Sequence, residues 1–197
     1  MKKRLFIAIN FPDSVRDEAG RIQDILKKHF KNLPIKWVKI EKVHLTLHFL
    51  GYVDEERVEE IKDVIASVAK GRGAAKVRLG EIGFFPSLLK KGGKMAERIR
   101  PSVIFVETKA ENRGLEDLQR DLGKELESAG MEIDRRAWRP HITLARLECP
   151  IETAIFEKLE IKPLKFEIKS VELMESKLKP EGAEYKVLKS YKLKIIS

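Results

Sequence analysis

Histidine and threonine are scarce in this chain, four of each in 197 residues, and two of each fall into the same short phrase. His44-Leu45-Thr46-Leu47 lies near the first quarter and His141-Ile142-Thr143-Leu144 near the third. Imidazoles give and take protons near neutral pH, and threonine hydroxyls hold anionic oxygens. Two copies of such a phrase are equipment for acid–base chemistry on a phosphate.

Both phrases have the period of a strand rather than of a helix. Val43 to Leu50 alternates polar and apolar residues, which predicts His44, Thr46 and His48 on one face and Leu45, Leu47 and Phe49 on the other. His141 and Thr143 share a face in the same way, with Ile142 and Leu144 behind them. On a helix, His44 and His48 would be four apart and could pair on a metal. Gly51 just beyond the run, the absence of an HExxH phrase and the single cysteine, Cys149, speak against a zinc site. His48 lacks a following threonine and His29 stands alone, so both read first as structural or surface residues. Trp37 and Trp138 precede the two histidine strands and read first as core, second as pocket lining. Cys149, beside Pro150, reads as a small apolar filler.

The elements that must position these strands follow from pattern. Leu5 to Phe11 reads as a strand, and Pro12-Asp13-Ser14 starts a helix carrying Val15, Ala19, Ile22 and Leu26. Ile35 to Ile40 is extended and leads into the His44 strand. Asp54 is placed to cap a helix with Val58, Ile61, Ile65 and Val68, ending near Gly71, and a strand from Ala75 to Phe85 follows. The order then recurs. Ser102 to Thr108 is a strand, Asn112 starts a helix with Leu115, Leu118, Leu122 and Leu126 that ends at Gly130, and the His141 strand comes next. A short helix at Thr153–Leu159, a strand from Lys165 to Leu173 and a closing strand from Tyr185 to Ile196 complete the chain. The recurrence implies one domain, 1–197, made by internal duplication, with approximate halves 1–100 and 101–197 forming two lobes. The expected class is α+β: two pseudo-symmetric antiparallel lobes with helices on their outer faces.

Composition bounds the setting. The formal charge is +9, from 40 basic and 31 acidic residues, which suits a polyanionic partner without requiring one. Charged residues make up 36% of the chain, an enrichment common in heat-adapted proteins. No run approaches a membrane span, and the apolar stretch after Met1-Lys2-Lys3-Arg4 is too short for a signal peptide, so a cytoplasmic monomer is the expectation. Lys90 to Arg100 reads as a basic loop around Gly92-Gly93, either a solvated excursion or a grip on RNA.

Taken together, these residues resemble the two-histidine phosphoesterase superfamily, in particular the RNA 2′,3′-cyclic phosphodiesterases, also called 2′-5′ RNA ligases. The likeness runs through Arg4-Leu5-Phe6-Ile7-Ala8-Ile9, His44 to Gly51, Gly83-Phe84-Phe85-Pro86, Arg139 to Arg146, and Leu173 to Leu178 with Gly182 and Tyr185. The stretch between Pro86 and Val103 is longer than the family pattern. The resemblance implies a central cleft with one histidine strand from each lobe and no cofactor. It implies His44 as general acid, His141 as general base, Thr46, Thr143 and Arg146 as phosphate ligands, and Phe49 as a base-stacking aromatic. It also implies RNA with 2′,3′-cyclic phosphate ends as partner, tRNA fragments among them. Strict alternation puts Phe49 and Arg146 on the wrong face, so a bulge or strand end near His48 and Ala145 must bring them round. Two other functions fit less of the sequence: a non-catalytic RNA-end-binding protein, and a hydrolase of small cyclic nucleotides.

Overall fold

Leu5 to Ile9 is apolar at every position, which fits a strand covered on both faces. It forms the centre of β1 (Lys2–Asn10), with each of its five residues nearly inaccessible. The structure, a computed structural model, describes residues 1–86, 98–180 and 182–194. The remaining strands are β2 (Ile35–Trp37), β3 (His44–Asp54), β4 (Ala75–Phe85), β5 (Arg98–Ile99), β6 (Val103–Ala110), β7 (His141–Leu147), β8 (Ile151–Glu152), β9 (Lys165–Ile168), β10 (Ser170–Lys179) and β11 (Gly182–Lys192). The helices are α1 (Asp13–His29), α2 (Val58–Lys70), α3 (Gly114–Ser128) and the single turn α4 (Ala154–Glu157).

The expected helical stripes are the buried ones. Val15, Ala19, Ile22 and Leu26 of α1 and Leu115, Leu118, Leu122 and Leu126 of α3 all lie in the core. Gly130 has φ +73° and ends α3, with the Met131 amide donating back to the Leu126 carbonyl. Asp54 does not cap α2 directly. It ends β3, a short 3-10 turn at Glu55–Arg57 intervenes, and α2 begins at Val58. Residues 90–97 of the basic segment lie outside the described residues.

Among the described residues two large antiparallel sheets form, ordered β11-β10-β1-β3 and β2-β7-β6-β4-β9, and β5 pairs with β8 in a separate two-stranded sheet. The expectation that each half of the chain makes its own lobe needs correcting. Aligned as β1-α1-β3-α2-β4 and β6-α3-β7-α4-β10, each unit sends its last strand to the other sheet: β4 pairs with β6, and β10 with β1. The expected strand Lys165–Leu173 is split for the same reason. Its first part, β9, pairs with β4, whereas β10 crosses to β1. Such exchange is invisible to local pattern, since both partners are far away in sequence.

The exchange continues in the helices. Gln23 of α1 reaches the backbone of β7, and Gln119 of α3 accepts a hydrogen bond from His48 of β3. α3 approaches β3 closely at Gly123, where an added Cβ would lie 3.0 Å from the His48 ring and 3.1 Å from Ile133. Gly to Ala inside a helix ordinarily gains up to about 1 kcal/mol. Here the group that must give way is the buried His48 ring, held on the Gln119 carbonyl, so Gly123→Ala is expected to lower the urea midpoint rather than raise it.

Candidate active site

The two histidine strands carry the same irregularity at the same place. In β3, Thr46 is opposite Ala8 but His48 is opposite Ile7, leaving Leu47 as an extra residue. In β7, Thr143 is opposite Phe105 but Ala145 is opposite Ile104, leaving Leu144 extra. Each is a one-residue β-bulge, and it reverses the facing of everything after it. Leu47 and His48 are both buried, as are Leu144 and Ala145. Phe49 and Arg146 come round to the face of His44, Thr46, His141 and Thr143. Phe49 is 42% exposed there.

His48 therefore does not share the His44 face. It is 5% exposed and its Nε2–H donates to the Gln119 carbonyl at 2.7 Å, a core histidine with a satisfied proton. His29 is at the surface against Phe30. Trp37, Trp138 and Cys149 are partly buried against the core.

Backbone groups freed by the bulges are taken up by specific partners. The Leu144 carbonyl accepts from the Val38 amide at 3.0 Å and from Gln23 Nε2 at 2.8 Å. Gln23 Nε2 also donates to the Val38 carbonyl at 2.7 Å. The Thr46 carbonyl accepts from Trp138 Nε1 at 3.0 Å, which ties the approach to β7 onto β3 across the two sheets. β3 and β7 thus lie beside one another although they belong to different sheets.

Each histidine is oriented by the carbonyl two residues before it. His44 Nδ1 meets the Lys42 carbonyl at 2.8 Å, and His141 Nδ1 meets the Arg139 carbonyl at 2.6 Å. A carbonyl only accepts, so Nδ1 carries the proton in both rings and Nε2 is the atom left for chemistry. Aromatic rings pack around each imidazole. Phe6 and Tyr185 lie 5.1 Å from His44, and Phe85 and Phe105 lie 5.0 and 5.1 Å from His141. Phe105 lies across Gly83, where any Cβ would sit inside its ring, so glycine at that position allows the ring to back His141.

Burial sets the proton affinity of both rings. It pulls His44 and His141 below the ordinary imidazole value of 6.5, against the opposing effect of each carbonyl hydrogen bond. Positive charge on Arg146 lowers both further, and charge on His141 lowers His44. The two imidazoles and the guanidinium thus share one electrostatic neighbourhood, which disfavours extra positive charge until an anion arrives. Among the described residues, no three of His, Cys, Asp and Glu gather as a metal-binding group.

A family model described as LigT-like phosphoesterase matches residues 9–94 and 106–185. The chain belongs to that family. An RNA 2′,3′-cyclic phosphodiesterase of Methanocaldococcus jannaschii is 30% identical over 95% of this chain and 99% of its own length. One of Thermotoga maritima is 29% identical over 94% of this chain and 92% of its own. Among solved structures, a Thermus thermophilus protein superposes with a TM-score of 0.76 at 26% identity, covering 98% of both chains. The Escherichia coli LigT structure with 3′-AMP gives 0.74 at 23% identity over 98% of this chain and 99% of that one, and so attests the fold.

Within this LigT-like framework, sequence reasoning missed the rings that pack on the histidines. Phe6, Phe85, Phe105 and Tyr185 looked like core or motif residues. The available signal was parity: in an all-apolar strand such as β1, alternate residues must face something other than the main core. Gln23, 1% exposed within an otherwise amphipathic helix, was also passed over. Its replacement by Leu strips one donor from the Leu144 carbonyl and leaves the Val38 carbonyl without that partner. Gln23→Leu is expected to cost about 1–3 kcal/mol in chemical denaturation. Because the bulge turns Arg146 toward the site, inorganic phosphate should also bind more weakly, as calorimetry would measure.

Proposed function

We propose that this protein hydrolyses RNA 2′,3′-cyclic phosphate ends to 2′-phosphates, with His44 as general acid and His141 as general base. The observation that carries the reading is the matched pair of imidazoles on neighbouring bulged strands, each with Nδ1–H fixed on a carbonyl and Nε2 without a hydrogen-bond partner among the described residues. The names of the relatives from Methanocaldococcus jannaschii and Thermotoga maritima support the substrate class.

In this mechanism His141 Nε2 takes a proton from water as the water oxygen bonds to phosphorus. The bond from phosphorus to the ribose 3′ oxygen breaks, and His44 Nε2–H gives that oxygen its proton. Thr46, Thr143 and Arg146 hold the non-bridging oxygens, where charge gathers in the transition state. Phe49 supports the base. The protons balance without a metal: one enters at His141 and one leaves at His44, so each turnover exchanges the roles and solvent resets them. Run backward with a 5′-hydroxyl in place of water, the same transfers make a 2′-5′ linkage. Water is in large excess and no P-loop phrase is present to couple ATP, so hydrolysis prevails.

The test is turnover of an oligonucleotide ending in a 2′,3′-cyclic phosphate, in excess chelator. His44→Ala and His141→Ala should each lose about 10²–10⁴ in kcat, and the product should carry a 2′-phosphate. RNA binding without turnover in the wild type would instead make the protein an RNA-end binder. Turnover of small cyclic nucleotides with no advantage for RNA would favour the third reading.

The pH profile follows from the lowered imidazoles. The active free enzyme carries one proton on the pair: below the lower limb the base is protonated, and above the upper limb the acid is deprotonated. Since burial lowers both groups, kcat/KM should form a bell with its maximum below pH 6.5, falling on the alkaline side. Bound anionic phosphate favours the imidazolium, so the alkaline limb of kcat should lie higher than that of kcat/KM. Coincident alkaline limbs would contradict this account.

A further inference from the structure

Among the described residues, the large apolar side chains most open to solvent are Met1, Phe49, Tyr52, Leu178 and Val187. Apart from the terminal Met1, they all lie on one face of one sheet, the face that carries His44. The ladder between β1 and β3 fixes this: Asn10 is opposite His44, Ala8 opposite Thr46, Phe6 opposite Phe49, and Arg4 opposite Tyr52. A second register shift, with Leu50 extra, keeps Tyr52 in phase with Phe49. On β10, Met174, Ser176 and Leu178 share the same face, since Arg4 Nη1 donates to Ser176 Oγ at 2.8 Å. Tyr185, opposite Ser176, touches His44, and Val187 is opposite Met174.

This surface is a continuation of the histidine site. Successive rows on a strand face are about 7 Å apart, so Tyr52 stands one row beyond Phe49, further from His44. The Phe6 ring stacks against Phe49 at 5.8 Å, and the Arg4 guanidinium lies 4.4 Å from the Phe49 ring centre. Phe49 and Arg4 are thereby held in place, while Tyr52 remains 65% exposed and Leu178 66% exposed. Phe49 and Tyr52, on neighbouring rows of one strand face, extend the histidine site with exposed aromatic surface. Aromatic rings interleaved with a guanidinium, on a chain of net charge +9, match the chemistry that binds unpaired nucleotides: stacking without sequence preference, and a cation near the backbone.

We infer that Tyr52, flanked by Arg4 on the neighbouring strand, is a subsite for the nucleotide immediately 5′ of the one bearing the cyclic phosphate. The inference rests on the proposed function and sharpens its substrate: an unpaired RNA end at least two nucleotides long. A base stacked on Tyr52 has left its helix, so a blunt duplex end cannot use the subsite.

The experiment compares kcat/KM for a 2′,3′-cyclic mononucleotide and for a dinucleotide with the same terminus. Stacking of one base predicts that the wild type prefers the dinucleotide by about 5- to 150-fold. Tyr52→Ala should lose that preference with mononucleotide turnover unchanged, and Tyr52→Phe should keep it. Equal turnover of both substrates by the wild type, or an equal loss on both in Tyr52→Ala, overturns the subsite. If the wild type turns over neither, the functional reading fails; the subsite is then decided by dinucleotide affinity, which Tyr52→Ala must weaken. A dimer in sedimentation that Tyr52→Ala dissolves, with dinucleotide preference intact, would assign the patch to a second copy and overturn the inference.

Discussion

A regular strand alternates its side chains, and the face that carries both histidines in this fold is built from something alternation forbids. Histidine and threonine at positions i and i+2 share a face by default, but the residue at i+5 falls on the opposite one. One extra residue in each histidine strand, Leu47 in β3 and Leu144 in β7, removes the conflict. It turns Phe49 and Arg146 toward the histidines and, in the same step, sends His48 and Ala145 into the core. Much of what surrounds the site can be understood as support for those two bulges. Gln23 bonds the carbonyl of one, and the neighbour of the other donates to Gln119.

That support is reciprocal, and the sheet topology explains why. The helix that follows β1 serves the bulge in β7, and the helix that follows β6 serves the bulge in β3. The final strand of each unit also crosses to the other sheet. Neither histidine strand is therefore complete within its own half of the chain. Trp138 closes the arrangement by bonding from the approach to β7 to the Thr46 carbonyl. Strands that bring their histidines together from different sheets gain from such cross-links, since loosening either sheet would separate the two imidazoles.

The same construction governs the protonation of the pair. Aromatic rings partly shield both imidazoles and, with Arg146 nearby, hold them below their ordinary proton affinity. A pair of partly buried imidazoles beside a guanidinium is an electrostatic arrangement that favours an anion over further positive charge. The symmetry is not carried into the side chains around the site. Lobe one presents Phe6, Phe49 and an open aromatic surface running outward, whereas lobe two presents Arg146 and the stacked Phe85–Phe105 pair. Duplicate strands with different flanks suit a ligand whose two sides differ in chemistry.

The sequence by itself determined the local matters. Two His-x-Thr phrases, period-two runs and three apolar helical stripes identified the strands, the helices and the polar face of each histidine strand, because each depends on residues within one or two turns. Even the need for a bulge was legible, as a clash between motif spacing and alternation. Only the tertiary structure decided where the extra residue sits, which sheet each strand joins, and that His48 is a core residue. Those outcomes depend on hydrogen bonds to partners 71 to 121 residues away, such as Gln119 for His48 and Leu144 for Gln23. No window along the chain contains both members of such a pair; packing brings them together, and with them the face that Phe49 and Arg146 present.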